Sequence, residues 1–130
     1  MKPFFIPLII ASLLFINCNA QNSEKIKTIA GIEFQKKVEN IQKPQLVDVR
    51  TPEEFDVEHL GNATNINWNS PDFESKIKVL NKKKPIFVYC KAGGRSIKAA
   101  TKLAELGFTE IYNLEGGILS WNSKNLPIKK

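Results

Sequence analysis

The chain has 130 residues, of which 42% are hydrophobic and 25% are charged, and its formal net charge is +6. These proportions are typical of a globular protein and exclude a disordered or fibrous one, and the length allows one domain whose core needs no disulfide or metal. The positive charge is mild and the lysines are not interleaved with aromatic residues, so we expect no nucleic-acid partner.

Residues 1–20 are predicted to be a signal peptide rather than part of the folded domain. Lys2 gives a positive start, an apolar run of thirteen residues extends from Phe4 to Ile16, and polar residues follow. A membrane-spanning helix needs roughly 17 to 25 such residues, so a transmembrane anchor is the weaker interpretation. Removing residues 1–20 takes away one lysine and no acid, which lowers the net charge from +6 to +5.

Two types of signal peptide remain open. Small residues at Cys18 and Ala20 fit ordinary cleavage after Ala20, which would release a soluble protein. The stretch Leu14-Phe15-Ile16-Asn17-Cys18 instead resembles a bacterial lipoprotein signal, in which a lipid on Cys18 anchors the protein. Both alternatives predict an exported protein of the periplasm or cell envelope, with membrane contact only in the second.

Short strands and helices alternate along the rest of the chain. A strand is predicted over residues 24–29, a helix over residues 32–41 with apolar side chains three and four residues apart, and a buried strand over residues 46–49. Each element is short, and proline or polar residues separate it from the next.

Two helix starts are predicted from capping chemistry. In Thr51-Pro52-Glu53-Glu54, the threonine is the N-cap, the proline takes the first helical position and Glu54 lies three residues after the cap. Ser70-Pro71 repeats this pattern, and the helix it predicts carries Phe73, Ile77 and Leu80.

The run Pro85-Ile86-Phe87-Val88-Tyr89 is continuously apolar and too short for a helix, which predicts a central strand buried on both faces. A helix follows, and Gly107 ends it as a C-cap residue. Its apolar residues at helical spacing are Ile97, Ala100, Leu103 and Ala104.

A strand over residues 110–114 and a short helix after Gly116-Gly117, which carries Leu119 and Trp121, complete the pattern. Strands that alternate with helices at these lengths predict an α/β fold, because parallel strands need crossover connections. The expected sheet is parallel and covered by helices on both faces.

The segment that carries the chemistry is Cys90-Lys91-Ala92-Gly93-Gly94-Arg95-Ser96. Ligands of an open parallel sheet bind beyond the carboxyl ends of its strands, which is where this topology places Cys90. The two glycines allow an anion-binding nest of backbone N–H groups, and the helix that begins near Ser96 adds its free N–H groups. Arg95 adds a planar fork of donors and Lys91 a second cation, so we expect a lowered pKa for the Cys90 thiol.

The sequence resembles the rhodanese family, because several of its motifs match those of the family in order and spacing. Asp48-Val49-Arg50-Thr51-Pro52-Glu53-Glu54-Phe55 is similar to the first signature of the family, and Glu58-His59-Leu60 with Ala63-Thr64-Asn65-Ile66 to its continuation. The segment from Cys90 to Ser96 is similar to the active-site loop, and Asn113-Leu114-Glu115-Gly116-Gly117 with Trp121 to the closing signature.

The resemblance covers residues 24–130 and implies a three-layer α/β/α rhodanese domain with a parallel five-stranded sheet. It implies sulfurtransferase activity through a persulfide on Cys90, with Arg95 as the second catalytic residue. We expect a small sulfur-containing anion such as thiosulfate as donor, a thiol or cyanide as acceptor, a monomer, no cofactor and no metal. The candidate substrate-binding residues are Lys91, Ala92, Gly93, Gly94 and Ser96, and the candidate loop-supporting residues are Asp48 and Arg50.

The length of the loop separates this family from its chemical neighbours. Four residues lie between Cys90 and Arg95, whereas cysteine phosphatases and arsenate reductases of similar design have five. A shorter loop makes a tighter ring, which suits a sulfur atom on cysteine better than a phosphate. The sequence therefore predicts that thiolate Cys90 attacks the outer sulfur of a donor such as thiosulfate and releases sulfite.

Other residues of the motifs are predicted to be structural. An ion pair between Asp48 and Arg50 is expected to orient the loop, and His59 is not needed as a base because the loop itself activates the thiol. Trp68 and Trp121 are predicted packing residues. Glu58 and Asn62 replace glycines that are usual in the family, and because Glu tolerates left-handed backbone angles poorly, an altered turn is expected beside the cleft.

Two other functions remain open at this stage. The first is a non-catalytic exported module that binds small anions or a partner protein while Cys90 stays idle. The second is a redox partner that works by thiol–disulfide exchange, although such proteins usually bring a resolving cysteine and Cys90 is the only cysteine after Ala20.

Overall fold

The computed structural model describes residues 3–4 and 22–130. Most of the predicted signal peptide, including Cys18 and both cleavage alternatives, lies outside the described residues. In the part of the chain that the structure describes, no helix is long and apolar enough to cross a membrane.

Strands and helices alternate as the sequence predicts. The strands are β1 (Ile26–Ile29), β2 (Gln45–Asp48), β3 (Thr64–Asn65), β4 (Ile86–Tyr89) and β5 (Ile111–Leu114). The helices are α1 (Gly31–Glu39), α2 (Pro52–Val57), α3 (Phe73–Ile77), α4 (Gly94–Glu105) and α5 (Gly117–Ser123).

Within the described residues the five strands form one parallel sheet in the order β1-β5-β4-β2-β3. Strand β4 lies in the centre, and all four of its residues are buried. The prediction of a central apolar strand in a parallel α/β sheet is therefore confirmed. Strand β3 was not predicted from the pattern, because two residues are too short for any periodicity.

Hydrophobic side chains cover both faces of the sheet, so the fold has three layers. On one face, residues of α3 and α4 pack against Val47, Val88 and Ile111. On the other face, Phe34 of α1 and Trp121 of α5 pack against Phe87 and other residues of the sheet. Successive strand residues point to opposite faces, and this alternation places Cys90 with the α4 side of the core.

The first predicted helix start is confirmed, and the second is wrong. At α2 the Thr51 hydroxyl accepts the Glu54 N–H, and the Glu54 carboxylate accepts the Thr51 N–H. Helix α3 instead begins at Phe73, and its N-cap residue, Asp72, makes no side-chain capping bond. The Ser70 hydroxyl donates to the Asp72 carboxylate, so a local side-chain bond replaces the predicted cap.

Gly107 terminates helix α4 as predicted, two residues after its last helical residue, Glu105. Gly107 has φ of +103°, its N–H donates to the Ala104 carbonyl, and the Phe108 N–H donates to the Leu103 carbonyl. This pair of bonds is the Schellman arrangement. The buried face differs by one position at the start of the helix, since Ser96 is buried whereas Ile97 is 39% exposed. The shift turns the Ser96 hydroxyl toward the end of β4.

Candidate active site

Cys90 lies directly after β4, at the carboxyl edge of the sheet, and only 1% of it is exposed. The neighbouring strand continues its pairing up to this point, since the Val49 N–H donates to the Tyr89 carbonyl over 3.0 Å. The sulfur is thus held at the end of the most buried strand, where the loop predicted from the sequence begins.

Donors of the loop surround the sulfur. The Gly93 N–H donates a hydrogen bond to Cys90 Sγ over 3.0 Å. The Cys90 thiol itself donates to Ser96 Oγ over 3.4 Å. Gly93 adopts φ of +113°, which is the left-handed region that favours glycine, and this angle turns its N–H inward. The prediction of an amide nest agrees with this geometry.

The net effect of the loop is to lower the pKa of the Cys90 thiol. Burial raises this pKa, because a charged sulfur loses its hydration. Hydrogen bonds outweigh burial, and they come from the Ser96 hydroxyl and from the N–H groups of Ser96, Gly93 and Ala92. The site is thus built to stabilise a thiolate, which is the nucleophilic form of cysteine.

Helix α5 holds the loop from the other side. The Ile118 N–H donates to the Cys90 carbonyl over 2.9 Å, and the Leu119 N–H donates to the Lys91 carbonyl over 3.1 Å. Gly117 directly precedes Ile118 and has φ of +59°, and a Cβ placed there would lie 2.4 Å from the Lys91 carbonyl oxygen and 2.5 Å from that of Cys90. The sequence signal for this contact was the Gly116-Gly117 pair, but its role was not predicted.

The other loop residues take different positions. Lys91, Ala92 and Gly94 are exposed, so the outer side of the loop is open to solvent. Direct hydrogen bonds join Gly93 and Ser96 to the sulfur, and the backbone N–H of Ala92 also stabilises the thiolate although the residue is exposed.

The guanidinium of Arg95 binds a partner that the sequence analysis missed. Its Nη1 donates to Glu54 Oε1 over 2.7 Å, and its Nη2 donates to Glu54 Oε2 over 3.0 Å. The donor fork that was expected to serve the thiolate is thus directed to a carboxylate of α2. Hydrogen bonding to Glu54 raises the pKa of Arg95, and the negative charges of Glu54, Cys90 and Asp48 also raise it, against the opposing effect of burial. From the residues, Glu54 was predicted only as a capping residue. No local sequence pattern indicates that it also binds Arg95 of the loop.

Asp48 and Arg50 form the predicted ion pair, and both are buried. Arg50 Nε donates to both carboxylate oxygens of Asp48 over 3.0 Å, and Arg50 Nη2 donates to Asp48 Oδ2 over 2.7 Å. Arg50 Nη2 also donates to the Glu58 carbonyl over 2.7 Å, and the guanidinium carbon lies 5.8 Å from the centre of the Tyr89 ring. Because β2 and β4 are neighbours, this pair braces the strand ends beside Cys90.

Glu58 and Asn62, the two departures from the family pattern, take different backbone angles. Glu58 has φ of −163°, which is extended backbone that any residue adopts. Its carboxylate accepts a hydrogen bond from Asn122 Nδ2 over 2.8 Å. Asn62 has φ of +65°, which asparagine tolerates better than most residues. The extended backbone of Glu58 avoids the left-handed angles that Glu tolerates poorly, and the expectation of an altered turn beside the cleft stays a prediction.

His59 and the two tryptophans are packing residues, as predicted. The His59 ring stacks on Phe55 with centroids 3.8 Å apart, and its Nδ1 lies 3.0 Å from the Phe55 carbonyl oxygen. Trp68 packs edge-on against Phe73, and Trp121 Nε1 donates to the Pro127 carbonyl over 2.8 Å.

Among the described residues, no three His, Cys, Asp or Glu side chains cluster as a metal site requires.

Comparison with known proteins identifies the family. Residues 33–124 match the model of the rhodanese-like domain. Thiosulfate sulfurtransferase 16 of Arabidopsis thaliana is 38% identical over 93 residues, which are 64% of this chain and 78% of that protein. The uncharacterized protein YqhL of Bacillus subtilis is 37% identical over 99 residues, which are 76% of this chain and 75% of that protein.

The fold agrees with solved structures, among them a rhodanese-like domain protein of Staphylococcus aureus, which superposes with a TM-score of 0.67 at 31% identity, covering 80% of this chain and 99% of that one. The polysulfide-sulfur transferase homodimer of Wolinella succinogenes superposes with a TM-score of 0.69 at 26% identity, covering 85% of this chain and 83% of that one. Three observations point to the same family: the order of the strands, the cysteine directly after β4 and the family match over most of the chain. The chain therefore belongs to the family of rhodanese-like domains, to which known sulfurtransferases also belong.

Proposed function

We propose that this protein is a sulfurtransferase that moves sulfane sulfur from a donor such as thiosulfate to a thiol or cyanide through a persulfide on Cys90. The observation that carries the proposal is the Cys90 sulfur itself, which is buried and accepts the Gly93 N–H over 3.0 Å. The sulfurtransferase names of relatives at modest identity support the same class of reaction.

The proposed reaction has two displacements at sulfur. The Cys90 thiolate attacks the outer sulfur of thiosulfate, a new S–S bond forms, and sulfite leaves with the electron pair of the broken bond. The terminal sulfur of the persulfide then lies near the backbone donors of the loop, which stabilise its negative charge. Cyanide or a thiolate attacks that sulfur, thiocyanate or a new persulfide leaves, and the Cys90 thiolate returns.

Incubation with thiosulfate followed by intact-mass measurement tests the first step directly. The full chain should gain the mass of one sulfur atom, and peptide mapping should locate that atom on Cys90. Addition of cyanide should remove the sulfur and release thiocyanate. The variant Cys90→Ser should gain no sulfur, because a hydroxyl cannot carry it as a persulfide. Undiminished thiocyanate formation by that variant would refute the proposal.

The non-catalytic alternative, a module that binds small anions or a partner protein, predicts a different result. Such a protein would keep Cys90 unmodified and would form no thiocyanate, although it would still bind thiosulfate. The lowered pKa of the thiol favours the enzyme, because an idle cysteine gains nothing from donors arranged around its sulfur.

We further propose that the protein is exported, on the basis of the pattern of residues 1–20. An activated thiol with no resolving cysteine is vulnerable in an oxidising compartment, and overoxidation would be its main route of inactivation. The exported protein is therefore proposed to carry Cys90 as a persulfide between reactions. Isolation from the cell envelope without reductant, followed by mass measurement, should find sulfur on Cys90, whereas a uniform free thiol that thiosulfate does not change would contradict it.

A further inference from the structure

The salt bridge between Glu54 and Arg95 places a negative charge of α2 on the cation of the active-site loop. The two side chains are joined by a pair of short contacts, of 2.7 and 3.0 Å, in the parallel geometry that suits a guanidinium and a carboxylate. The carboxylate is also fixed by its own helix, since Glu54 Oε1 accepts the Thr51 N–H over 3.5 Å and the Thr51 hydroxyl over 3.2 Å. Its position is thus set by the start of α2 as well as by Arg95.

This pairing changes what the site offers to an anion. An unpaired Arg95 would attract a donor in proportion to the negative charge of that donor. A carboxylate bound through both oxygens cancels most of this attraction at distances longer than the pair itself. The pKa of Glu54 is lowered to about 2, first by its hydrogen bond to Arg95, so the carboxylate stays charged at any physiological pH.

We propose that Glu54 determines the donor specificity of the site, by neutralising Arg95 and so disfavouring a dianionic donor such as thiosulfate relative to the persulfide of an organic thiol. The inference rests on the proposed sulfur transfer and names the class of donor for the same site. Thiosulfate then remains a usable donor, but it binds without the benefit of a free guanidinium.

The step with such a donor is balanced without any further reactant. The Cys90 thiolate attacks the outer sulfur of R–S–S–H, a bond forms between the two sulfurs, and R–S⁻ leaves with the electron pair of the broken S–S bond. The proton stays on the transferred sulfur or passes to water. The loop receives the same persulfide as it does from thiosulfate.

Alkylation of Cys90 in the full chain tests the charge argument apart from sulfur transfer. Iodoacetate carries a negative charge and iodoacetamide carries none, and peptide mass mapping restricts the measurement to Cys90. In Glu54→Gln, the ratio of the iodoacetate rate to the iodoacetamide rate should rise about tenfold at low salt and less at high salt. Glutamine can keep the capping bonds at this position, so the start of α2 should survive.

Glu53→Gln is the matched control, because Glu53 is exposed on the same turn of α2 and makes no ion pair among the described residues. It removes the same charge and should leave the ratio within about twofold of the wild-type value. A purely structural role of Glu54 would change both alkylation rates together and leave their ratio unchanged, which would overturn the inference.

Steady-state kinetics with the two donor classes complete the test. In Glu54→Gln, kcat/KM for thiosulfate should rise about tenfold through a lower KM, and kcat/KM for an alkyl persulfide should change much less. An equal change for both donors would also overturn the inference. A wild-type protein that forms no thiocyanate, but whose alkylation ratio still responds to Glu54→Gln, would refute the proposed function and leave the control of charge by Glu54 standing.

Discussion

Gly117→Ala tests whether α5 positions the loop that carries Cys90. Gly117 has φ of +59°, and an alanine in the left-handed region costs roughly 1–2 kcal/mol. The added Cβ would lie 2.4 Å from the Lys91 carbonyl oxygen and 2.5 Å from the Cys90 carbonyl oxygen. Both obstacles are backbone atoms, which cannot rotate away as a side chain can, so the loop or the helix has to move.

The size of the effect follows from the contacts that this movement breaks. The hydrogen bonds from Ile118 to Cys90 and from Leu119 to Lys91 contribute about 0.5–1.5 kcal/mol each. Together with the backbone strain, the expected loss in free energy of unfolding is about 2–5 kcal/mol. A shift of the sulfur by about 1 Å should lower the rate of sulfur transfer by about a hundredfold.

Urea denaturation measures the stability, and thiocyanate formation measures the activity of the folded fraction. Gly61→Ala is the control, since a Cβ at Gly61 meets nothing within 4 Å. It should change the stability by less than about 1 kcal/mol and leave the rate of transfer unaltered. If Gly117→Ala matches this control in both measurements, α5 does not position the loop and the reasoning from the close approach is wrong.

Three further results are expected. Ser96→Ala should slow alkylation of Cys90 at neutral pH by raising its pKa, because the hydroxyl is among the groups that stabilise the thiolate, and an unchanged pH profile would refute this. Glu54 has a pKa of about 2 in the folded protein against an ordinary 4.5, so the stability it contributes is present above about pH 4.5 and is lost as the pH falls toward 2. Because its side chain is 30% exposed, the advantage of wild type over Glu54→Gln should be only about 1 kcal/mol at pH 7 and should disappear near pH 2, as urea denaturation across pH can check. Arg50→Met should lower the free energy of unfolding by about 3–5 kcal/mol, since it leaves the Asp48 carboxylate buried without its partner, and a loss below about 1 kcal/mol would contradict that view.

The sequence by itself determined the fold class and the position of the candidate nucleophile, Cys90, at the end of a buried strand. The apolar run before Cys90 is too short for a helix and so indicates a buried strand, and the Thr51-Pro52-Glu53-Glu54 pattern encodes its own helix start, because a capping box is closed within four residues. The same local logic identified Gly93 and Gly107, whose backbone angles lie in the region that glycine favours. These features depend on neighbours in the chain, and they can be read without any knowledge of tertiary contacts.

The tertiary structure decided which groups act on the loop. Glu54 and Arg95 are 41 residues apart, and Gly117 lies 27 positions after Cys90, so no local pattern relates them. The phase of α4 was also set by packing, which buries Ser96 rather than Ile97 beside the sulfur. The sequence shows what chemistry each residue can perform. Which carboxylate binds the Arg95 guanidinium, and which backbone lies against the loop carbonyls, is decided only when distant segments pack against each other.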